Sequence, residues 1–135
     1  AYMGYLDVVK YLVEHGADIH ADDEQALRYA AENEHLNIVE YLIENGADIH
    51  ANNDYALRYS AQNGYLDVVK YLVEHGADIY AENDEAVQYA AENGHLNIVK
   101  YFVEYGVDIH ANNNKALYLA TKYEHSDVIQ YLKNL

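Results

Sequence analysis

Four glycines, Gly16, Gly46, Gly76 and Gly106, lie 30 residues apart in this chain. Each one follows a segment with the same order of apolar and polar positions, as residues 65–79 and 95–109 show when they are aligned. A fixed period of this length is typical of a stack of small supersecondary units, in which each unit packs only on its neighbours. The repeat therefore predicts a solenoid with extended faces and no single globular core.

Residues 51–80 form one representative unit. Apolar and small residues at helical spacing predict a first helix that ends at Asn63-Gly64, since both residues tolerate a positive φ. A second helix is predicted up to Gly76 from an apolar stripe formed by Leu66, Val69, Leu72 and Val73. The small pairs at 30 and 31, 60 and 61, and 90 and 91 would let the two helices of a unit approach closely. The unit is therefore a helix–turn–helix.

The order of residues in this unit resembles the ankyrin repeat. The positions that carry the resemblance are Leu57, Ser60, Ala61, Asn63, Gly64, Leu66, Val68, Val69, Lys70, Leu72, Val73, Glu74, Gly76, Ala77, Asp78 and Ile79, and the pattern recurs from Gly4 to Leu132. The resemblance implies an all-α, ankyrin-type solenoid of stacked helix–turn–helix repeats.

Two departures from the family pattern change the expected connections. The period is 30 residues, whereas the family repeat has about 33, and the family's Thr-Pro-Leu-His start is absent. We therefore predict short turns in place of β-hairpin fingers. Asn or Asp at positions 23, 53, 83 and 113 is expected to cap each first helix. The short-period variant is similar to ankyrin proteins of large DNA viruses that infect amoebae.

The repeat boundaries divide one domain, residues 1–135, into five parts. Residues 1–20 read as a partial repeat with only a second helix, because residues 1–4 align with the end of a first helix. Residues 21–50, 51–80 and 81–110 are full repeats, and 111–135 is a capping repeat in which Ser126 and Lys133 replace apolar residues. The stripe of Leu6, Val9, Leu12 and Val13 would be half uncovered, which favours a fragment of a longer array.

The formal net charge of −15, from 23 acidic and 8 basic residues, bears on the partner. A field of this sign repels nucleic acid and anionic membrane surfaces and favours a basic protein. Cysteine is absent, no apolar run is long enough to span a bilayer, and the N-terminus lacks the zones of a signal peptide. We expect a cytoplasmic protein, in the host cytoplasm if the source is viral.

Residue patterns typical of metal, cofactor or catalytic sites are missing from the sequence. His20, His50 and His110 share one register and His35, His95 and His125 another, and we predict a packing or capping role for both sets. The acidic turns at 22–24, 52–54 and 82–85 lack the ligand order of a calcium loop. No phosphate loop, nucleophile elbow or Ser/His/Asp motif occurs. We predict no enzyme activity, no cofactor, no metal and no small-molecule substrate.

In the ankyrin family, partners usually contact the loop tips and the exposed side of the first helix. The resemblance carries this role over to two sets of residues. The turn set is Asp22, Glu24, Gln25, Asp54, Tyr55, Asp84, Glu85 and Lys115, and the helix set is Arg28, Glu32, Arg58, Gln62, Gln88, Glu92, Tyr118 and Lys122. For the acidic turns, a solvated turn with a helix cap is the alternative to a binding rim.

Sixteen tyrosines stand against one phenylalanine and no tryptophan. Two columns repeat with the period and are assigned to packing: one along the second helices, and one along the first helices at Tyr29, Tyr59 and Tyr89. Tyr55, Tyr118 and Tyr123 are off these registers and are the better binding candidates.

These observations favour a non-catalytic protein–protein interaction module that presents an acidic turn and first-helix face to a basic partner. Two alternatives remain open. One is an adaptor fragment whose effector segment lies elsewhere in a longer repeat protein, and the other is a structural role through stacking of the N-terminal face.

Overall fold

The computed structural model describes residues 5–135, and within them it contains nine α-helices and no strand. The helices are α1 (Tyr5–Glu14), α2 (Ala21–Glu32), α3 (Leu36–Glu44), α4 (Ala51–Asn63), α5 (Leu66–Glu74), α6 (Ala81–Glu92), α7 (Leu96–Tyr105), α8 (Ala111–Lys122) and α9 (Ser126–Lys133). The predicted all-α architecture with short turns in place of hairpins is confirmed. Residues 1–4, assigned above to the end of a first helix, lie outside the described residues.

The helices form two parallel rows. The first helices α2, α4, α6 and α8 contact one another in sequence, and so do the second helices α1, α3, α5, α7 and α9. Each first helix also packs on the second helix that follows it. The core lies between the rows and includes Leu57, Val69, Leu72 and Phe102, all with a relative exposure of 0%.

Small residues allow the two rows to approach closely. Ala61 and Ala91 are fully buried, as is Ser60, whose hydroxyl donates to the Leu57 carbonyl at 3.0 Å. A larger side chain here would separate the helices of one repeat. The sequence prediction for these pairs is confirmed.

Near its start, each first helix with the bounds given above contains three successive non-helical residues in the left-handed region. These residues form the turn between the preceding second helix and the regular part of the first helix. They are Asp22 to Glu24, Asn52 to Asp54, Glu82 to Asp84 and Asn112 to Asn114, with φ between 53° and 66°. Left-handed backbone costs an L-residue roughly 1–2 kcal/mol, and Asn and Asp tolerate it best. Ten of these twelve residues are Asn or Asp, which explains the composition of the turns.

The expected helix caps at positions 23, 53, 83 and 113 are wrong. These residues lie in the middle of the left-handed turns, and no side-chain cap bond is formed at the start of α2, α4, α6 or α8. The Asn and Asp residues that suggested caps are suited to these positions because they tolerate the left-handed backbone.

The two ends of the stack differ in polarity. No residue of α1 is buried, and Leu12 is 50% exposed. At the other end, Ser126 and Lys133 are exposed polar residues at positions where the full repeats have apolar ones.

Candidate functional site

The side chains of the first helices hold the left-handed turns in place. Arg58 donates from Nε to the Asn53 carbonyl and from Nη2 to the Asn52 carbonyl, both at 2.8 Å. Arg28 makes the same two bonds to the carbonyls of Asp23 and Asp22, at 2.9 and 2.8 Å. Gln88 makes one such bond, to the Asn83 carbonyl at 2.7 Å. Three of the four left-handed turns are therefore held in place by a side chain of the first helix.

The third residue is buried in the first two turns, which corrects two predicted binding residues. Glu24 and Asp54 have relative exposures of only 4% and 5%. Asp54 accepts from His50 Nδ1 and from the Asp78 backbone N–H, both at 2.9 Å, and Glu24 bonds His20. Because the left-handed backbone directs these carboxylates into the turn, they cannot present themselves to a partner.

The hydrogen bond between His20 and Glu24 leads to a testable prediction about the pKa of His20. The hydrogen bond to Glu24 raises the pKa of His20 above 6.5, and the charges of Glu24, Asp18 and Asp48 add to the effect. A raised pKa means that the native state binds the proton more tightly, so the contribution to stability is present below pH 6.5 and is lost as pH rises through the native pKa. We expect an NMR titration of the imidazole to give a midpoint above 6.5.

The matched variant for this titration is Glu24→Gln, which removes the charge and keeps the size of the side chain. The midpoint of His20 should then fall, and the loss of stability on raising the pH should become smaller. An unchanged midpoint in Glu24→Gln would contradict the assignment of the shift to this pair.

Arg58 is a third predicted binding residue that the structure buries, with a relative exposure of 9%. Beyond the turn carbonyls, its Nη1 atom forms an ion pair with Glu85 Oε2 of the next repeat at 2.5 Å. Each of its three guanidinium nitrogens therefore donates a hydrogen bond inside the protein. The sequence could not separate it from Arg28, because the acidic partner comes from a residue 27 positions later.

The other thirteen predicted residues remain accessible to different degrees. Those that are exposed are Asp22, Gln25, Lys115, Tyr118 and Lys122, and those that are half-buried are Arg28, Glu32, Tyr55, Gln62, Asp84, Glu85, Gln88 and Glu92. Among the half-buried residues, burial raises the pKa of Asp84, and the charge of Asp108 adds to that effect.

Charge is distributed unequally between the turns and the first helices. The turn segments 17–24, 47–54, 77–84 and 107–114 contain ten acidic residues and no Lys or Arg. The following helical segments 25–32, 55–62, 85–92 and 115–122 contain three acidic residues and four basic ones. The acidity on this side of the stack therefore belongs to the row of turns, here named the turn edge, and not to the first-helix face that was expected to share it.

Aromatic side chains occupy the centre of the first-helix face. The rings of Tyr55 and Tyr59 are stacked, with 4.1 Å between their centroids. The Tyr59 ring also contacts that of Tyr89 in the next repeat, with 5.8 Å between the centroids. The guanidinium of Arg28 lies 5.2 Å from the Tyr55 ring, and that of Arg58 lies 5.6 Å from the Tyr59 ring. We name Tyr55, Tyr59 and Tyr89 the tyrosine cluster.

Sequence reasoning assigned Tyr59 and Tyr89 to semi-buried packing, and both are half-buried on this face. Hydrogen bonding to Glu85, together with burial, raises the pKa of Tyr89, so it remains a neutral phenol. The available signal was the spacing of four residues between Tyr55 and Tyr59, which places both rings on one side of a helix. The contact with Tyr89 depends on the stacking of repeats.

Residues 5–135 hold no group of three or more His, Cys, Asp or Glu side chains arranged to bind a metal ion. His95 and His125 pack between repeats, where Nε2 bonds the carbonyls of Gln62 and Glu92 at 2.8 and 2.7 Å. In the same part of the chain, no helix is both long and apolar enough to cross a membrane.

Paired helices in two stacked rows, short turns and a continuous first-helix face define a helical solenoid. The profile for ankyrin repeats (3 copies) matches residues 1–83 and 57–135. The chain therefore belongs to the ankyrin-repeat family, whose repeats generally serve as protein–protein interaction modules. Comparison with curated proteins gave no match.

Proposed function

We propose that this chain is a non-catalytic interaction module that binds a basic protein through the turn edge and the adjoining first-helix face. The observation that carries the proposal is the charge of the four turn segments, which together contain ten acidic residues and no Lys or Arg. Such a field steers a basic partner toward this side of the stack and increases the association rate.

The bonding within the turns supports the proposal. Arg28 and Arg58 already fix the backbone of two turns, and buried carboxylates fix the side facing the core. A surface that is ordered before binding loses little conformational entropy when the partner arrives. The proposed binding residues are then the thirteen exposed or half-buried members of the predicted sets, without Glu24, Asp54 and Arg58.

The short period resembles that of ankyrin proteins of large DNA viruses that infect amoebae. If the source is such a virus, the partner is a protein of the host cytoplasm. In either case the proposal concerns a protein partner and excludes nucleic acid and membrane, both of which the charge of −15 repels.

The test is affinity capture of partners from a cytosolic extract with two matched baits. One carries Asp22→Asn, Asp23→Asn and Glu82→Asn, which neutralise exposed acids with the residue that other turns use in the left-handed conformation. The other carries Glu14→Gln, Glu74→Gln and Glu104→Gln, which remove three exposed charges from the second helices.

We expect the turn variant to lose basic partners that the second-helix variant retains, and we expect captured partners to elute at moderate salt. Equal capture by both baits would contradict binding at the turn edge. If neither the unaltered chain nor the variants captured a partner, the proposal as a whole would fail.

A further inference from the structure

The centre of the first-helix face has a defined order of groups across three repeats. Glu32 on α2 lies on one side, Tyr55 and Tyr59 on α4 lie in the middle, and Tyr89 and Glu92 on α6 lie on the other side. All five side chains are half-buried, so they are held in place and still present surface. The face is thus an aromatic patch between two carboxylates.

The two carboxylates differ from the other acids nearby in that they are available to a partner. Glu85 is engaged by Arg58, and Glu24 and Asp54 are buried in their turns. Glu92 makes no side-chain hydrogen bond or ion pair within residues 5–135, and Glu32 accepts only a long bond of 3.3 Å from the Tyr55 hydroxyl. Glu32 and Glu92 are therefore the free negative charges beside the tyrosine cluster.

The rings between them are held in position. Tyr55 and Tyr59 are stacked on each other, and each has a guanidinium against its ring. Tyrosine and arginine are the residue types that dominate the centres of protein interfaces, because a large contact area is gained for little lost side-chain freedom. This patch has both types fixed before a partner binds.

The spacing of the carboxylates sets the geometry of the ligand. Glu32 and Glu92 belong to first helices two repeats apart, and packed helices lie about 10 Å from each other, so the separation is roughly 20 Å. An extended peptide advances about 3.3 Å per residue. About six residues therefore span the distance, and the peptide crosses α4 between its two ends, beside Gln62 and Tyr59.

We infer that the first-helix face binds an extended peptide segment with two basic side chains about six positions apart and an apolar or aromatic residue about two positions from one of them, so that all three side chains lie on the same face of the peptide. The basic side chains pair with Glu32 and Glu92, and the apolar or aromatic residue packs on the tyrosine cluster. This inference rests on the proposed function and identifies the partner segment. The turn edge then attracts the partner at long range, and the first-helix face selects it by spacing.

The test measures, by fluorescence polarisation, the binding of fluorescent synthetic peptides with two arginines and a leucine about two positions after the first arginine. The arginines are placed about four, six or eight positions apart in peptides of equal length and charge, so that both arginines lie on one face of the extended peptide. We expect the spacing of about six to bind most tightly, by roughly five- to tenfold, because only that peptide reaches both carboxylates.

Two double variants with the same loss of charge locate the site. Glu32→Gln with Glu92→Gln introduces the residue that the intervening repeat has at Gln62, and it should abolish the preference for spacing. Asp22→Asn with Glu82→Asn is the control, and it should weaken all peptides alike while keeping the preference. Circular dichroism of each variant confirms that the fold is retained.

Equal affinity at all spacings, or an equal loss of preference in both double variants, would overturn the inference. Absence of binding at every spacing would also overturn it. In each of these cases, the affinity capture with the turn and second-helix variants decides the proposed function separately.

Discussion

Gly94→Ala should lower the free energy of unfolding by about 2–4 kcal/mol. Gly94 has a φ of +75°, a conformation that is strained for alanine. A Cβ atom there would also lie 2.5 Å from Nδ1 and 3.0 Å from Cγ of His125. The His125 ring cannot move aside freely, because its Nε2 bonds the Glu92 carbonyl at 2.7 Å. Urea denaturation followed by circular dichroism measures the loss.

Gly76→Ala is the matched control for this prediction. Gly76 has a φ of +98°, but a Cβ atom there would meet nothing within 4 Å. The control therefore retains the backbone strain without the steric conflict, and it should cost only about 1–2 kcal/mol. Equal losses in the two variants would show that the contact with His125 contributes nothing.

The chain itself contains a natural counterpart of this conflict. Glu34 occupies the position of Gly64 and Gly94 and has a φ of +60°. In the next repeat, the residue in the register of His95 and His125 is Tyr65. Glycine and histidine thus occur together at two repeat boundaries, and both are replaced at a third, where Glu34 and Tyr65 stand. The steric contact explains why the two positions change together.

Arg58→Met should destabilise the protein by about 2–4 kcal/mol. The substitution leaves the Asn52 and Asn53 carbonyls without their donors and leaves Glu85 without its ion pair. Methionine fills a similar volume, so the loss reports the missing polar contacts and not a cavity. The midpoint and slope of a urea denaturation curve give the change in stability.

Arg28→Met tests the cause of that loss. Arg28 donates to the equivalent carbonyls of Asp22 and Asp23 and is only half-buried. It forms no ion pair with a carboxylate among residues 5–135. We expect a smaller loss, about 1–2 kcal/mol. A loss equal to that of Arg58→Met would assign the whole effect to the turn carbonyls and none to Glu85.

The sequence predicted which elements carry the candidate site, but not which of its side chains are buried. The resemblance placed sixteen residues on the turns and first helices, and thirteen of them are accessible to some degree in the structure. Glu24, Asp54 and Arg58 are buried because the left-handed turns reverse the direction of the side chains and because Glu85 approaches from the next repeat. Whether the accessible residues bind a partner remains a prediction.

The sequence by itself determined the unit and its repetition. The 30-residue period, the apolar stripes and the small pairs at positions such as Ser60 and Ala61 are local patterns, and local patterns suffice to specify helices and the faces that they bury. The tertiary structure alone decided the burial of Asp54 and Arg58 and the contact of Tyr59 with Tyr89. These features depend on contacts between residues 24 to 30 positions apart, whose geometry is set by the stacking of one repeat on the next.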